Sequence, residues 1–325
     1  MIRYLIRRVL YGALVLLGVN LLTFTLFFAV NTPDDMARLA IGGKHVTEEA
    51  IADWKIARGY DKPLFWNAAQ AGAGHLTQTI FWERSAPLLR LDFGESDRGR
   101  SINREIAQRA GPSLALALPT FLLGLIATTS LALLLVLLRR TRAERAGLSA
   151  CVLLMSVSSL FYIIFGQWLF AKVLRLAPVS GYGSGWHLAV FLALPIVIGV
   201  ASRLGPDTLL YHAMLQEEIG KDYVRTARAK GLSEARVLFC HVLRNALLPV
   251  ITSTVAAIPL LFMGSLVMES FFGIPGLGSF TIDAINEQDF SIVRSMVFLG
   301  TALYILGLIL TDIAYVIADP RIRLS

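Results

Sequence analysis

Residues 9–32 read VLYGALVLLGVNLLTFTLFFAVNT, an unbroken stretch without Asp, Glu, Lys or Arg. About 20 apolar residues, rising about 1.5 Å each as a helix, cross the roughly 30 Å hydrocarbon core of a bilayer. This run is therefore long enough to span a membrane. It exceeds the apolar region of a signal peptide and shows no small-residue cleavage site, so it is not expected to be removed. Five comparable runs come after it. Residues 113–138 and 146–171 are uncharged. So are residues 176–202, where Pro178, Gly181, Gly183 and Gly185 place a loop ahead of a helix from about Trp186. Residues 246–268 form the fifth run, and residues 295–318 the sixth, interrupted only by Asp312. The pattern predicts an all-α integral membrane protein with six transmembrane helices and both termini on one side.

Composition points the same way. Of 325 residues, 55% are hydrophobic and 16% charged, and mean hydropathy is +0.63; soluble domains carry about 25% charged residues. A soluble enzyme, a disordered chain and a secreted disulfide scaffold are excluded. The two cysteines, Cys151 and Cys240, fall in or beside regions assigned to the cytoplasmic side, where a structural disulfide is not expected. The net charge of +7 is a matter of topology before it is a matter of nucleic acid.

Basic residues orient the bundle. Arg3, Arg7 and Arg8 precede the first run, and Arg139, Arg140, Arg142 and Arg145 come after the second. With the 203–245 connection and the tail, these segments hold a net +9, whereas residues 269–294 hold −3. Short cytoplasmic loops carry the excess of Lys and Arg. Both termini of this multi-pass membrane protein are therefore expected in the cytoplasm.

The expected organisation has three parts: an N-terminal segment and first span (1–32), an extracytoplasmic loop or subdomain (33–112), and a five-helix core (113–325) containing a cytoplasmic connection at 203–249. Seven aromatic residues stud the external part: Trp54, Tyr60, Phe65, Trp66, Phe81, Trp82 and Phe93. They suit either a small packed subdomain or the membrane surface. Within it, EEAIADWKIARG (48–59) predicts a helix with Thr47 as N-cap and Gly59 at the C-terminal end. In the cytoplasmic connection a short helix, a break at Gly231 and a second helix are predicted. Leu232, Ala235, Leu238, Phe239, Val242 and Leu243 form one apolar stripe of that second helix. A helix lying on lipid headgroups is the alternative reading of this stripe.

The connection is also recognisable. DYVRTARAKGL (222–232) followed by HVLRNALLP (241–249) resembles the EAA-type loop of ABC importer permeases, specifically the dipeptide/oligopeptide/nickel branch. Residues 2–8, YDKPL (60–64), LDFGES (91–96), ESFFGIPGLG (269–278) and DPRIR (319–323) are similar to other motifs of the first permease subunit of that branch. Where the general pattern has glutamate six residues before its glycine, this chain has Arg225. The resemblance implies a type I ABC importer permease fold in the bacterial plasma (inner) membrane. It also implies a second homologous permease subunit, two ABC ATPase subunits and an extracytoplasmic solute-binding protein as partners, with membrane lipid around them and no nucleic acid.

On this resemblance Asp222, Tyr223, Arg225, Ala227, Arg228, Ala229, Lys230, Gly231, Asn245 and Pro249 belong to the ATPase-coupling loop. Ala227 and Ala229 would allow close approach, Gly231 would turn the chain, and Arg225, Arg228 and Lys230 would meet acidic rims. ATP and Mg2+ would be used by the partner subunits, and no cofactor is expected in this chain. Short peptides are the first choice of cargo, with nickel chelates, glutathione and oligosaccharides left open.

No Gly-rich loop ending in Lys-Ser/Thr is present, so ATP hydrolysis by this chain is not expected. There is no His-Glu-x-x-His, and the five histidines lack ligand spacing. A membrane enzyme or stand-alone channel would need an intramembrane catalytic pair or a filter motif, and neither is found. Met263, Met268, Glu269, Pro275 and Gly276 are the candidate pore or gate residues, with apolar packing the plainer reading of the two methionines.

Overall fold

The computed structural model describes residues 2–30, 32–42 and 46–318; the 319–323 motif lies outside them. In chain order the α-helices are α1 (Ile2–Val30), α2 (Pro33–Ile41), α3 (Glu48–Arg58), α4 (Gly74–Thr77), α5 (Ile80–Ser85), α6 (Ile102–Leu137), α7 (Arg142–Met155) and α8 (Ser159–Gly166). Next come α9 (Trp186–Ile219), α10 (Asp222–Ala229), α11 (Glu234–Val237), α12 (Leu243–Leu261), α13 (Leu266–Phe272), α14 (Leu277–Asn286) and α15 (Phe290–Ala318). Among the described residues the only β feature is an isolated bridge between Glu95 and Ser101. The all-α class is as expected.

Among the described residues four helices are long and apolar enough to cross a membrane: Ile6–Val30 of α1, α6, α9 and Phe290–Ala314 of α15. The remaining two runs are bent rather than straight. Arg142–Met155 and Ser159–Val173 meet at 88°, and Ala257–Phe272 and Leu277–Asn286 at 66°. Six spans result only if each bent pair counts as one. The break in the 146–171 run falls at Ser156, Val157 and Ser158. The Ser156 hydroxyl bonds the Val152 carbonyl at 2.8 Å, and the Ser158 carbonyl starts the next helix by accepting from Phe161 at 3.0 Å. Serine competes with the helical ladder in this way, and hydropathy does not register it. In the 246–268 run the last turn of α12 tightens to i→i+3 bonds and ends at Gly264, whose φ is +66°. Elsewhere helices outrun their apolar stretches. α6 begins at Ile102 rather than near Ser113, and α9 continues past Arg203 and Pro206 to Ile219. Buried Thr208, His212, Leu215 and Ile219 carry the packed face of α9 onward.

The chain divides into two compact units. One holds residues 1–108 and 283–305. In it the external aromatics do pack: Phe24, Tyr60 and Ile80 are buried together with Phe28, Trp54, Leu64 and Phe81 against them. Trp54 stacks on Tyr60 at 5.5 Å, and the Arg84 guanidinium lies 4.8 Å over the Tyr60 ring. Trp66 and Trp82 remain exposed. Helix α3 begins as predicted, with the Thr47 hydroxyl accepting from Ala50 N–H, and ends at left-handed Gly59. Asp97 and Asp289 gather at the start of α15. Asp97 accepts from Phe290 N–H (3.0 Å) and the Ser291 hydroxyl (2.7 Å), while Asp289 Oδ1 accepts from Ile292 N–H (3.2 Å) and Asp97 N–H (3.3 Å).

The other unit holds residues 109–282 and 306–325. α7 and α9 approach so closely that a Cβ on Gly205 would sit 2.5 Å from the Cys151 carbonyl oxygen. One core joins Ala132, Val136, Leu215, Val224, Ala227, Val237, Leu238 and Val242. A second joins Leu116, Ile163, Leu192, Ile198, Met268, Phe272 and Ile274.

Candidate functional site

The segment between α9 and α12 is the site with most built into it. α9 ends at Ile219, and Glu218, only 8% exposed, anchors the turn into α10. Its carboxylate accepts from the Tyr223 hydroxyl (2.6 Å) and from Lys221 Nζ (2.5 Å). Burial, then the bond to Glu218, pushes the Tyr223 phenol up to about 12, so it stays a donor at physiological pH. α10 thus leaves α9 at a set angle. Its inner face, Val224 and Ala227, packs into the first core, while Asp222, Arg225, Thr226, Ala229 and Lys230 face out.

Two expectations shift here. Ala227 lets α10 approach the chain's own helices, leaving Ala229 as the small residue of the outer face. Arg228 is engaged internally, Nε and Nη2 meeting both oxygens of Glu234 at 2.8 and 3.3 Å, and Arg139 joins the same carboxylate at 3.2 Å. Arg225, paired loosely with Asp222 at 3.5 Å, and Lys230 are the outward cations. Gly231 has φ +77°, a left-handed conformation that side chains with a Cβ rarely adopt.

The predicted second helix forms with a defect. Ser233 caps α11, a π-type turn spans Leu238–Val242, and α12 continues from Leu243. The extra residue in the wide turn rotates the register. Val237, Leu238, Val242 and Ala246 are buried, whereas Ala235 and Phe239, assigned to the stripe, are exposed. Asn245 is exposed and bonds back to the His241 carbonyl at 3.2 Å, and Pro249 lies within α12. Sequence reasoning missed Glu218 and Glu234, which sit outside the recognised pattern and carry no signal of their own.

A second constellation surrounds Glu269, which is fully buried. Its carboxylate accepts from Ser265 N–H at 3.1 Å, Gly278 N–H at 2.7 Å and Ser279 N–H at 3.1 Å, while Ser113 Oγ accepts from Leu277 N–H at 2.7 Å. These are the N–H groups at the start of α14 and of α13, where helix dipoles favour an anion. A Cβ on Gly264 or Gly276 would overlap the carboxylate, which accounts for both glycines. Of the other gate candidates, Met268 is buried, Pro275 is exposed and Met263 is half-buried.

Between α6, α8, α9 and the α12–α13 break lies a cavity of about 460 Å³. Leu116, Thr120, Ile163, Gly199, Leu261 and Met268 are among its walls, and Arg203, Asp207 and Tyr211 line it as well. Met263 is not part of its lining.

Comparison with known proteins agrees with this architecture. Residues 114–324 match the family described as binding-protein-dependent transport system inner membrane component, and residues 1–95 match its N-terminal companion. A putative peptide transport system permease protein of Brucella abortus (strain 2308) is 32% identical over 98% of both chains. The dipeptide transport system permease protein of Bacillus subtilis (strain 168) is 29% identical, covering 100% of this chain and 99% of its own. A glutathione transport system permease protein of Salmonella choleraesuis (strain SC-B67) is 30% identical over 99% of both. With its matched model covering most of the sequence and its helices bearing the expected apolar spans, the chain belongs to the family of inner membrane components of binding-protein-dependent transport systems.

Proposed function

We propose that this chain forms half of the translocation pore of an ATP-driven importer of short peptides and is moved by partner ATPases through residues 222–249. The observation that carries the reading is α10. It is a short helix whose inner face is buried, whose outer face is small and cationic, and whose exit is fixed by Gly231. Such a helix can seat in a groove of a soluble partner and pass displacement to α12 through the Val224–Val242 core. Arg225 and Lys230 favour an acidic groove wall, although exposed pairs contribute only about 0–1 kcal/mol each. Packing and the rigid α10–α12 unit carry the force. Peptides are supported by the names of the relatives, one of which transports glutathione, itself a short peptide. The bias of basic residues supports cytoplasmic termini and a cytoplasmic α10. A second permease subunit, two ATPases and an extracytoplasmic binding protein complete the system in this reading.

Gly231 supplies the test. No atom lies within 4 Å of where its Cβ would stand, so a larger residue meets backbone strain of about 1–2 kcal/mol and a changed outer face rather than an internal clash. Gly231→Leu is expected to leave assembly and ATP hydrolysis in place while peptide import falls at least about tenfold, equivalent to roughly 1.4 kcal/mol of lost coupling. Import at the wild-type rate would remove α10 from the coupling path.

A further inference from the structure

Within the cavity, α9 presents Pro195, Gly199, Arg203, Asp207 and Tyr211, five residues each four apart. Neighbours at that spacing lie nearly one above another, each step turning about 40° around the helix, so the five mark a track that winds about α9 over about 24 Å. The track changes character along its length. Pro195 and Gly199 are apolar and lie within the uncharged 176–202 run, while Arg203, Asp207 and Tyr211 are polar. Facing the cavity as well is the α12–α13 break, where Gly264 and Ser265 bring non-helical backbone to its wall. Irregular backbone inside a membrane protein is tolerated where it lines a cavity, and broken helices recur at transporter substrate sites.

The charged pair is only half used. Arg203 Nε donates to Asp207 Oδ2 at 3.1 Å. Among the described residues, the Nη groups of Arg203 and Oδ1 of Asp207 have no partner. A guanidinium edge is free for a carboxylate and a carboxylate oxygen is free for an ammonium. A ligand carrying both charges at its ends, with a mixed apolar and amide body, fits a cavity of this size and lining.

We propose that this cavity is a substrate station in which Asp207 receives the α-ammonium and Arg203 the α-carboxylate of a short zwitterionic peptide, so that this chain selects for free peptide ends in its own right. The proposal rests on the peptide-import reading above. Binding uses the free guanidinium edge of Arg203 and the free carboxylate oxygen of Asp207 and leaves the bond between them in place. The apolar walls accept varied side chains, while the carbonyls of the α12–α13 break offer acceptors to the peptide N–H groups.

The complete importer, reconstituted in nanodiscs with the binding protein left out, tests this with tri-alanine, N-acetyl-tri-alanine and tri-alanine amide as probes. Wild type is expected to bind tri-alanine about tenfold more tightly than either blocked form, the scale of one charge-assisted hydrogen bond. Asp207→Asn is expected to abolish the preference for a free amine and keep that for a free carboxylate; Arg203→Gln is expected to do the converse. Ratios between probes within one preparation do not depend on how much of it is folded. Unchanged ratios in both variants, or no binding of tri-alanine to wild type, overturn the proposal. The import reading fails on a different result: no ATP-driven accumulation of tri-alanine by wild type in proteoliposomes with the binding protein present. That outcome overturns the reading and the proposal with it.

Discussion

Glu269 holds together two helix starts and two glycines, and its chemistry can be altered without altering its shape. Glutamine keeps the volume but turns one oxygen into an NH2 group. Either orientation then sets a donor against a donor, at Ser265 N–H or at the Gly278 and Ser279 N–H pair. Glu269→Gln is expected to cost about 1–3 kcal/mol, the scale of an unsatisfied buried polar group, and Glu269→Ala more, since the three backbone N–H donors and the Ser113 hydroxyl all lose their acceptor. Thermal unfolding of the purified chain in detergent measures both; equal stability of the Gln variant and wild type would deny the carboxylate this role. Asp289 predicts the opposite sign. It is 1% exposed, its Oδ2 has no partner among the described residues, and burial, then the neighbouring Asp97 charge, raises its pKa. A carboxyl whose folded pKa is raised lends stability below its unfolded value, and this is lost as pH rises through the folded value. Asn is as good an N-cap as Asp and does not ionise. Asp289→Asn is therefore expected to raise Tm near neutral pH, with the gain shrinking as pH falls to about 4, the ordinary Asp range. A pH-independent difference would show that the gain is not one of charge.

At the scale of elements, α10 depends on one internal latch. Tyr223→Phe removes the hydroxyl that meets Glu218 and leaves that buried carboxylate with Lys221 alone. The bond to a charged group is worth about 1.5–3 kcal/mol, enough to loosen α10 against α9 without unfolding the core that Val224 and Ala227 enter. In the coupled-importer reading, Tyr223→Phe is expected to raise the ATP hydrolysed per peptide imported. An unchanged ratio would show that the latch sets stability only. How much of these elements can be read from sequence depends on the range of the forces involved. The Thr47–Gly59 helix and the α10–Gly231 turn are set by neighbours a few residues apart, and both form as predicted. The breaks at residues 156–158 and 262–265 leave hydropathy nearly unchanged, so the sequence predicts straight spans where bent pairs occur. The π-type turn at 238–242 moves Phe239 to the surface by one residue of register. The Glu269 cage draws its backbone donors from residues up to ten positions away and the cavity its lining from five helices, separations at which periodicity is silent.

At the scale of the whole chain, the coupled-importer reading turns on which side of the membrane holds α10, because coupling to ATPases would require the cytoplasm. Charge supplies the ground: the segments read as inside hold +9 of a net +7, and those read as outside are neutral or acidic apart from the short 172–175 loop. Each positive residue resists transfer through hydrocarbon, and retained positive loops fix the orientation of the helices beside them. Cys240 allows a direct measurement with the native side chains. It is exposed on the turn between α11 and α12, whereas Cys151 is buried in α7. A thiol reagent that does not cross membranes should therefore report on Cys240 alone. In intact spheroplasts, where only the outer face is open, labelling is expected to be absent; in inside-out vesicles from the same cells it is expected to be complete, and Cys240→Ser is expected to abolish it. Labelling of spheroplasts with vesicles left unlabelled would invert the topology. It would also place α10, Arg225 and Lys230 where no ATPase can reach them.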